Sequence, residues 1–492
     1  MMFNKVKHQT STKLHENPLS WMAAPLTVAA LLISVLAAPA ADANPGKKRF
    51  LLRAAQADVP VLLARYGLEA RMERNGLRLV ESAGPVDEAS LQAMVLSESS
   101  VEGFEPSLEA ALPELSAWSN TVQNSFPWSN LMRQGKRRPA CGTSEEVWNG
   151  YGDQEATDLI RLHGAQDWSR DCGAVTVAVI DTGVDPGHPV LAGRLVEGYD
   201  FLTDQPGMAS EWMALDQSTQ AILEQSTQAI LEETMHAIAQ QSTQAILEGH
   251  GELVVLEGND IRPVASVDSA DALGAQEFPA YFGHGTMVAG LISLVAPEAR
   301  IMPLRAFDGN GKADLYDLVQ AIYFAVDNGA DVINMSFSME TFSHELKRAL
   351  RYAVDRGVVC IASAGNDGED IRVFPAAMAE SVGVAATTVE DELCDFSNHG
   401  SHLVKLGAPG AGVISAFPGG LFAAGWGTSF SAPLVAGTAA LLYRSVPGRD
   451  RDSVIERVRA LRWGSEPTPE LGGAMGSGRL DALASVWLAE VW

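Results

Sequence analysis

The chain is short of positive charge, of cysteine and of long apolar runs, and each shortage excludes something. Its 492 residues carry 35 Lys and Arg against 61 Asp and Glu, a net charge of −26. The imbalance is uneven: residues 1–140 hold 15 basic against 13 acidic side chains, and residues 141–492 hold 20 against 48. Acidity of that strength repels phosphate backbones, so no nucleic-acid partner is expected, and it suits an extracellular protein. Past Ala38 no run is apolar over the roughly 20 residues that cross a bilayer, so no membrane span is expected once a leader is removed. Four cysteines, Cys141, Cys172, Cys360 and Cys394, permit three pairings and are compatible with an oxidising compartment. A Cys141–Cys172 bridge would tie one stretch of chain to itself, whereas Cys360, inside the apolar run 358–362, reads as a small buried hydrophobe. HExxH is absent, which argues against a zinc peptidase. A single Asp-Thr-Gly and no Asp-Ser-Gly leave a paired-aspartate site only to a homodimer.

What is present divides the chain. Residues 1–43 read as a signal peptide: Lys5, Lys7 and Lys13 precede the apolar run 22–38, which leads into Ala41-Asp42-Ala43, a small-x-small cleavage pattern. Residues 50–55 predict a strand, 58–66 a helix, 71–80 a hairpin turning at Asn75-Gly76, 89–95 a helix and 101–106 a strand. That order, β-α-β-β-α-β, predicts a small ferredoxin-like α+β unit over 44–106. Residues 107–147, with the basic run Lys136-Arg137-Arg138, read as a linker that a protease can reach. From 148 onward short apolar strands at 175–180, 301–305, 332–336, 358–363 and 382–386 alternate with helical stretches such as 315–327 and 344–355. Continuous apolar strands joined by helices predict a parallel sheet covered by helices on both faces, with a site at the carboxyl ends of its strands. At 217–248 the octad QSTQAILE recurs at 217, 225 and 241 with a worn copy at 233. Each copy turns the apolar patch by about 80° around a helix, so no single face stays apolar, and the segment reads as a surface insertion.

Three motifs carry chemistry. VAVIDTGVDPGHP puts Asp181 at the end of a buried strand, where a carboxylate can orient a histidine, and Asp185 reads as structural. FGHGTMVAG puts His284 at a helix start between glycines that let backbone approach closely, the place for a general base. GWGTSFSAP puts Ser429 at the N-terminus of a small-residue helix, whose N–H groups can stabilise an oxyanion. A fourth, SAGNDG, leaves Asn366 at a strand end, where its amide can be the second oxyanion donor. The bland readings are an N-cap serine and a turn asparagine.

In the order Asp181, His284, Asn366, Ser429, and with GHGTxVAG, Asn334-Met335-Ser336, AGNDG and GTSxxAPxVAG, the region from about 148 to 491 resembles the subtilisin-like serine proteases. The resemblance implies a subtilisin-like parallel-sheet catalytic domain over 148–492 and a serine endopeptidase of polypeptide substrates, with Asp181, His284 and Ser429 catalytic and Asn366 the oxyanion donor. Ser336, Phe337, Ser338, Ala364 and Gly365 would bind substrate. It further implies a secreted or periplasmic zymogen whose 44–106 unit is an inhibitory propeptide and partner, with the maturation site in 107–147. No cofactor is needed and no metal ligands are assigned. Calcium as a structural ion is compatible with the acidic surface, although Val190 replaces the family's calcium-ligating Asp after His-Pro. Phe430 follows the nucleophile where Met is common, and Leu434 and Met287 replace frequent histidines. Phe337-Ser338-Met339 replaces a usual glycine pair, and the short loop ending Arg372-Val373-Phe374 implies a preference for small or medium side chains before the cut. A different class, a catalytically silent binding protein on the same scaffold, is free to lose these residues, and none is lost.

Overall fold

The computed structural model describes residues 47–112, 137–139, 146–169, 175–207, 209–215, 254–257, 260–263, 279–468 and 473–491. The signal segment, most of the linker, the octads, Cys141 and Cys172 lie outside them.

The N-terminal unit follows the predicted order: β1 (Arg49–Ala54), α1 (Val59–Tyr66), β2 (Leu68–Arg74), β3 (Leu77–Ser82), α2 (Glu88–Leu96) and β4 (Val101–Pro106). Its sheet runs β2-β3-β1-β4, with β1 antiparallel to both β3 and β4. Local chemistry sets these bounds. Asn75 and Gly76 take the left-handed φ of 54° and 70° that the tight hairpin demands, and the Asp87 carboxylate caps α2 by accepting from Ser90 N at 2.9 Å. Alternation then splits the sheet. Phe50, Leu52, Val80 and Phe104 join Leu68, Leu91 and Val95 in a small core of the unit's own, whereas Leu51, Leu77 and Leu79 belong to the main core of the chain.

After β4 the chain continues extended as β5 (Glu109–Ala111), and further on β6 (Arg137–Pro139) pairs antiparallel with β7 (Glu146–Trp148). The main sheet has eight strands. In chain order they are β8 (Thr176–Asp181), β9 (Tyr199–Asp200), β10 (Gln205–Pro206), β13 (Arg300–Arg305), β15 (Val332–Met335), β16 (Val359–Ser363), β17 (Val382–Thr387) and β18 (Leu406–Pro409). They lie in the order β10-β9-β13-β8-β15-β16-β17-β18, parallel throughout except for the edge pair β10–β9. Every residue of β8, β15, β16, β17 and β18 is buried, the consequence of helices on both faces. Helices α3 (His284–Val295) and α6 (Thr428–Leu441) pack on each other and on the sheet, and α4 (Leu315–Asp327) and α5 (His344–Asp355) form a second pair. α7 (Arg451–Trp463) and α8 (Ala482–Val491) close the far end. On α5 the buried Leu346, Ala349, Leu350, Ala353 and Val354 fall at helical spacing, and the Ser343 hydroxyl caps its start by accepting from Leu346 N. α6 is buried along its whole length, and a Cβ on Gly437 would stand 2.6 Å from the Val295 Cβ, so the small residue is what lets α3 and α6 touch.

One layer was not foreseen. β11 (Val254–Glu257), β12 (Asp260–Pro263), β19 (Val413–Phe417) and β20 (Leu421–Gly425) form an antiparallel sheet in the order β12-β11-β20-β19. Its hairpin β19–β20 turns at Pro418-Gly419-Gly420, with Gly419 and Gly420 at positive φ, a turn signal that the sequence reading passed over.

Candidate active site

Asp181 ends β8 and His284 opens α3, so the carboxyl end of the central strand and a helix start meet. The carboxylate Oδ1 of Asp181 and Nδ1 of His284 are 2.7 Å apart, and Asp181 is fully buried. The approach depends on Gly285, where a Cβ would fall 2.0 Å from the Gly183 carbonyl oxygen. Asp181 Oδ1 also accepts the Thr182 N–H at 2.8 Å. Burial disfavours the imidazolium form of His284, but the charge and hydrogen bond of Asp181, with a further contribution from the Glu211 charge, outweigh it and leave the pKa above the ordinary histidine value.

Ser429 lies in the first turn of α6, 2% exposed. Its hydroxyl donates to the Ser336 carbonyl at 3.2 Å, and the Ser336 hydroxyl donates back to the Ser429 carbonyl at 2.9 Å. Among the described residues no hydrogen bond joins Ser429 to His284. The ring of Phe430, the residue after the serine, lies 5.8 Å from the His284 ring, centroid to centroid. Asn366 follows β16 and is tied to the residue before the serine: its Oδ1 accepts from Thr428 N and Thr428 Oγ1, each at 2.9 Å. Those two donors fix the amide's oxygen toward Thr428 and its NH2 at the opposite end. Gly365 N donates to the same Thr428 hydroxyl at 3.1 Å, and Ala364 N bonds the Val384 carbonyl on β17 at 2.9 Å.

The edge after β15 is occupied. Ser338 exchanges two backbone hydrogen bonds with Ala111, at 3.2 and 3.4 Å, in an antiparallel bridge. β5 also pairs antiparallel with β14 (Lys312–Asp314), and Leu112 N donates to the Gly311 carbonyl at 2.8 Å. An extended segment of the chain is therefore held between two edges, and its antiparallel sense runs it from Ser338 toward Ser336 and the serine. Phe337 is buried against Phe307, ring centroids 5.2 Å apart, and takes no part in that pairing. Beyond Ser338, Met339 and Phe374 pair their backbones at 2.8 Å in both directions.

Asp185 is a loop anchor: it accepts from Gly187 N at 2.9 Å, Trp212 Nε1 at 3.0 Å and Gly419 N at 2.8 Å. Cys360 and Cys394 are buried, unbridged thiols, and burial pushes both above the ordinary thiol value, which disfavours the reactive thiolate. Among the described residues no group of three or more His, Cys, Asp or Glu side chains is placed to hold a metal ion. The sequence reading missed Glu211, a buried carboxyl beside the pair, whose segment Ser210-Glu211-Trp212-Met213 carries no motif. Thr182 and Thr286, which bond it, were visible only as neighbours of Asp181 and His284.

A mostly parallel sheet with an acid–imidazole pair at one strand end and a serine at the first turn of a central helix is an arrangement that hydroxyl-nucleophile hydrolases share. The chain belongs to the subtilase family, whose model matches residues 173–461. It is 31% identical over 293 residues to the thermophilic serine proteinase of Bacillus sp. strain AK1, a match covering 59% of this chain and 57% of that one. Thermitase of Thermoactinomyces vulgaris is 28% identical over 302 residues, covering 59% of this chain and 81% of the relative. In fold it is similar to fervidolysin of Fervidobacterium pennivorans, a keratinolytic enzyme related to subtilisin, with a TM-score of 0.61 at 21% identity over 90% of this chain and 61% of the other.

Proposed function

We propose that the chain is a secreted serine endopeptidase, made as a self-processing zymogen. Ser429 Oγ attacks the scissile carbonyl while His284 takes its proton and later returns it to the leaving amine. Asp181 holds the imidazole in the tautomer with the proton on Nδ1, and Asn366 with the N–H groups at the start of α6 stabilises the oxyanion. The hydroxyl of Ser429, which donates to Ser336, must turn toward His284 for this step. The observation that carries this reading is the 2.7 Å Asp181–His284 contact at the strand end, facing a serine whose preceding residue anchors Asn366. No cofactor enters the scheme, and calcium bound to the acidic surface would serve structure alone.

The zymogen reading is supported by the place of β5. Substrate would add as an extended strand between β14 and Ser338, and residues 109–112 already lie there. The 44–106 unit would then be the inhibitor that delivers this strand, cut in the 107–147 linker and carried out of the cell by the leader. A preference for small or medium side chains before the cut belongs to the same reading. The test is N-terminal sequencing and intact mass of wild type beside Ser429→Ala, both expressed with the leader. Loss of the N-terminal unit in wild type alone supports both serine and zymogen, and identical maturation of the two assigns the cut to another protease. If neither loses more than the leader, the zymogen reading fails.

A further inference from the structure

Behind the Asp181–His284 pair lies a second buried carboxyl that the scheme above does not use. Glu211 is 1% exposed and opens a single 3-10 turn, Glu211–Ala214. Its Oε1 accepts from Thr182 Oγ1 at 2.5 Å and from Gly285 N at 3.0 Å, and its Oε2 accepts from Thr286 Oγ1. The Thr286 hydroxyl in turn accepts the Asp185 N–H at 2.7 Å. One carboxylate thus gathers the residue after Asp181 and the two residues after His284, the segments whose register sets the 2.7 Å contact. Backbone bonds fix the carboxylate in place: Val184 N donates to the Ala209 carbonyl at 2.9 Å and Glu211 N to the Val184 carbonyl at 3.0 Å.

The Thr182 hydroxyl has one proton and two carboxylates in reach, Glu211 at 2.5 Å and Asp181 Oδ1 at 3.3 Å. The shorter contact takes it. Asp181 Oδ1 then keeps two donors, Thr182 N–H and His284 Nδ1, and a carboxylate shared among fewer donors holds the imidazolium more strongly. Glu211 also places a second negative charge near His284 without hydrogen-bonding to it.

We propose that Glu211 is a positioning residue for the hydrolysis: it clamps the Asp181 and His284 segments in register, draws the Thr182 proton away from Asp181 and raises the basicity of His284. The proposal rests on the proteolytic reading for its kinetic consequence, but not for its effect on the imidazole. The ionisable groups that face Glu211 are Asp181 on β8, Asp185 in the loop after it and His284 on α3. Burial pushes Glu211 up to about 7, with the Asp181 charge adding to the rise and the bonds from Thr182, Thr286 and Gly285 opposing it. Glu211 therefore gains a proton near neutral pH. When it does so, the Thr182 hydroxyl is released to turn to Asp181.

The experiment is Glu211→Gln, near-isosteric and uncharged, with Glu211→Asp as the shorter variant that keeps the charge. The His284 titration is followed by imidazole NMR in full-length Ser429→Ala, alone and combined with each substitution, and kinetics are measured on the mature active forms. In the Gln variant the His284 pKa and the acid limb of kcat/KM both move down by about half a unit or more. Its kcat falls about tenfold with KM within twofold, the pattern of an interaction made in the transition state. The Asp variant returns the limb toward wild type. An unmoved His284 pKa and acid limb in the Gln variant, with only the melting temperature lowered, would overturn the proposal and leave Glu211 a structural clamp. If the Gln variant does not fold, a His284 pKa in the Asp variant below that of the parent overturns it as well. A wild type without serine-dependent hydrolysis would sink the protease reading alone, because the imidazole titration in Ser429→Ala still decides this one.

Discussion

The N-terminal unit and the C-terminal body are both layered from sheet and capped helices, yet they are held by different means. In the body the strands β8, β15, β16, β17 and β18 and the helix α6 are buried throughout, and the site residues are joined by short hydrogen bonds between His284 and Asp181 and from Thr428 to Asn366. The N-terminal unit has a core of seven residues and reaches the body through the β3 face, the β5 strand and a rim of polar contacts. Arg53 pairs with Glu345 at 2.9 Å, Arg74 with Asp204 at 2.7 Å, and Arg49 with Asp314 at 3.6 Å. Glu105 caps α5 from outside, accepting from Ser343 Oγ at 2.5 Å, His344 N at 2.9 Å and Glu345 N at 3.2 Å. The body rests on one packed core, whereas the N-terminal unit joins it through Leu51, Leu77 and Leu79 together with ion pairs, a borrowed helix cap and one added strand.

The sharpest way to break the comparison is at the serine. Ser429→Ala should lower peptide hydrolysis by about 10⁴-fold or more, a magnitude set by related subtilisins and not by this geometry, and leave the melting of the body unchanged. Asn366→Ala should cost about 10²- to 10³-fold in kcat with little change in KM, again a subtilisin value, as read from initial rates on a peptide substrate. Acidity should act on the body's base. Because His284 must be neutral to accept a proton and its pKa is raised, kcat/KM should fall about tenfold per pH unit, with the midpoint of the limb above pH 6.5. At the interface, Glu105→Ala in full-length Ser429→Ala leaves His344 N and Glu345 N of α5 without the Glu105 acceptor, while the Ser343 cap remains. The loss of about 1–3 kcal/mol should lower the first calorimetric transition by several degrees and leave the second in place. The smallest effect belongs to the exposed pair Lys312–Glu109, 2.8 Å apart. Lys312→Ala should leave both transitions where they are, and a shift of several degrees would show that the rim carries more of the docking than its exposure allows.

Legibility followed the range of the interactions. The hairpin at Asn75-Gly76 and the bounds of α4 and α5 were readable, because caps and turns are settled by residues a few positions apart. Asp181, His284, Asn366 and Ser429 stood out for the same kind of reason, each embedded in glycine-rich segments that let backbone approach closely, and the structure brings Asp181 to His284 and Asn366 to Thr428. Two-residue strands such as β9 and β10, and the sheet formed by β11, β12, β19 and β20, carry too little periodicity to announce themselves. Glu211 looked like any surface glutamate, since burial is a property of what folds over a residue and not of its neighbours in sequence.

By itself the sequence determined the order of elements, the acidity of the body and which side chains are chemically able to act. The tertiary structure decided that Asp181 and His284, 103 positions apart, stand 2.7 Å from each other, that residues 109–112 fill the edge at Ser338, and that a second carboxyl lies behind the pair. The reason is physical: propensity and capping act along a few residues of chain, but the protonation and reach of a side chain depend on burial and on charges that only folding brings near.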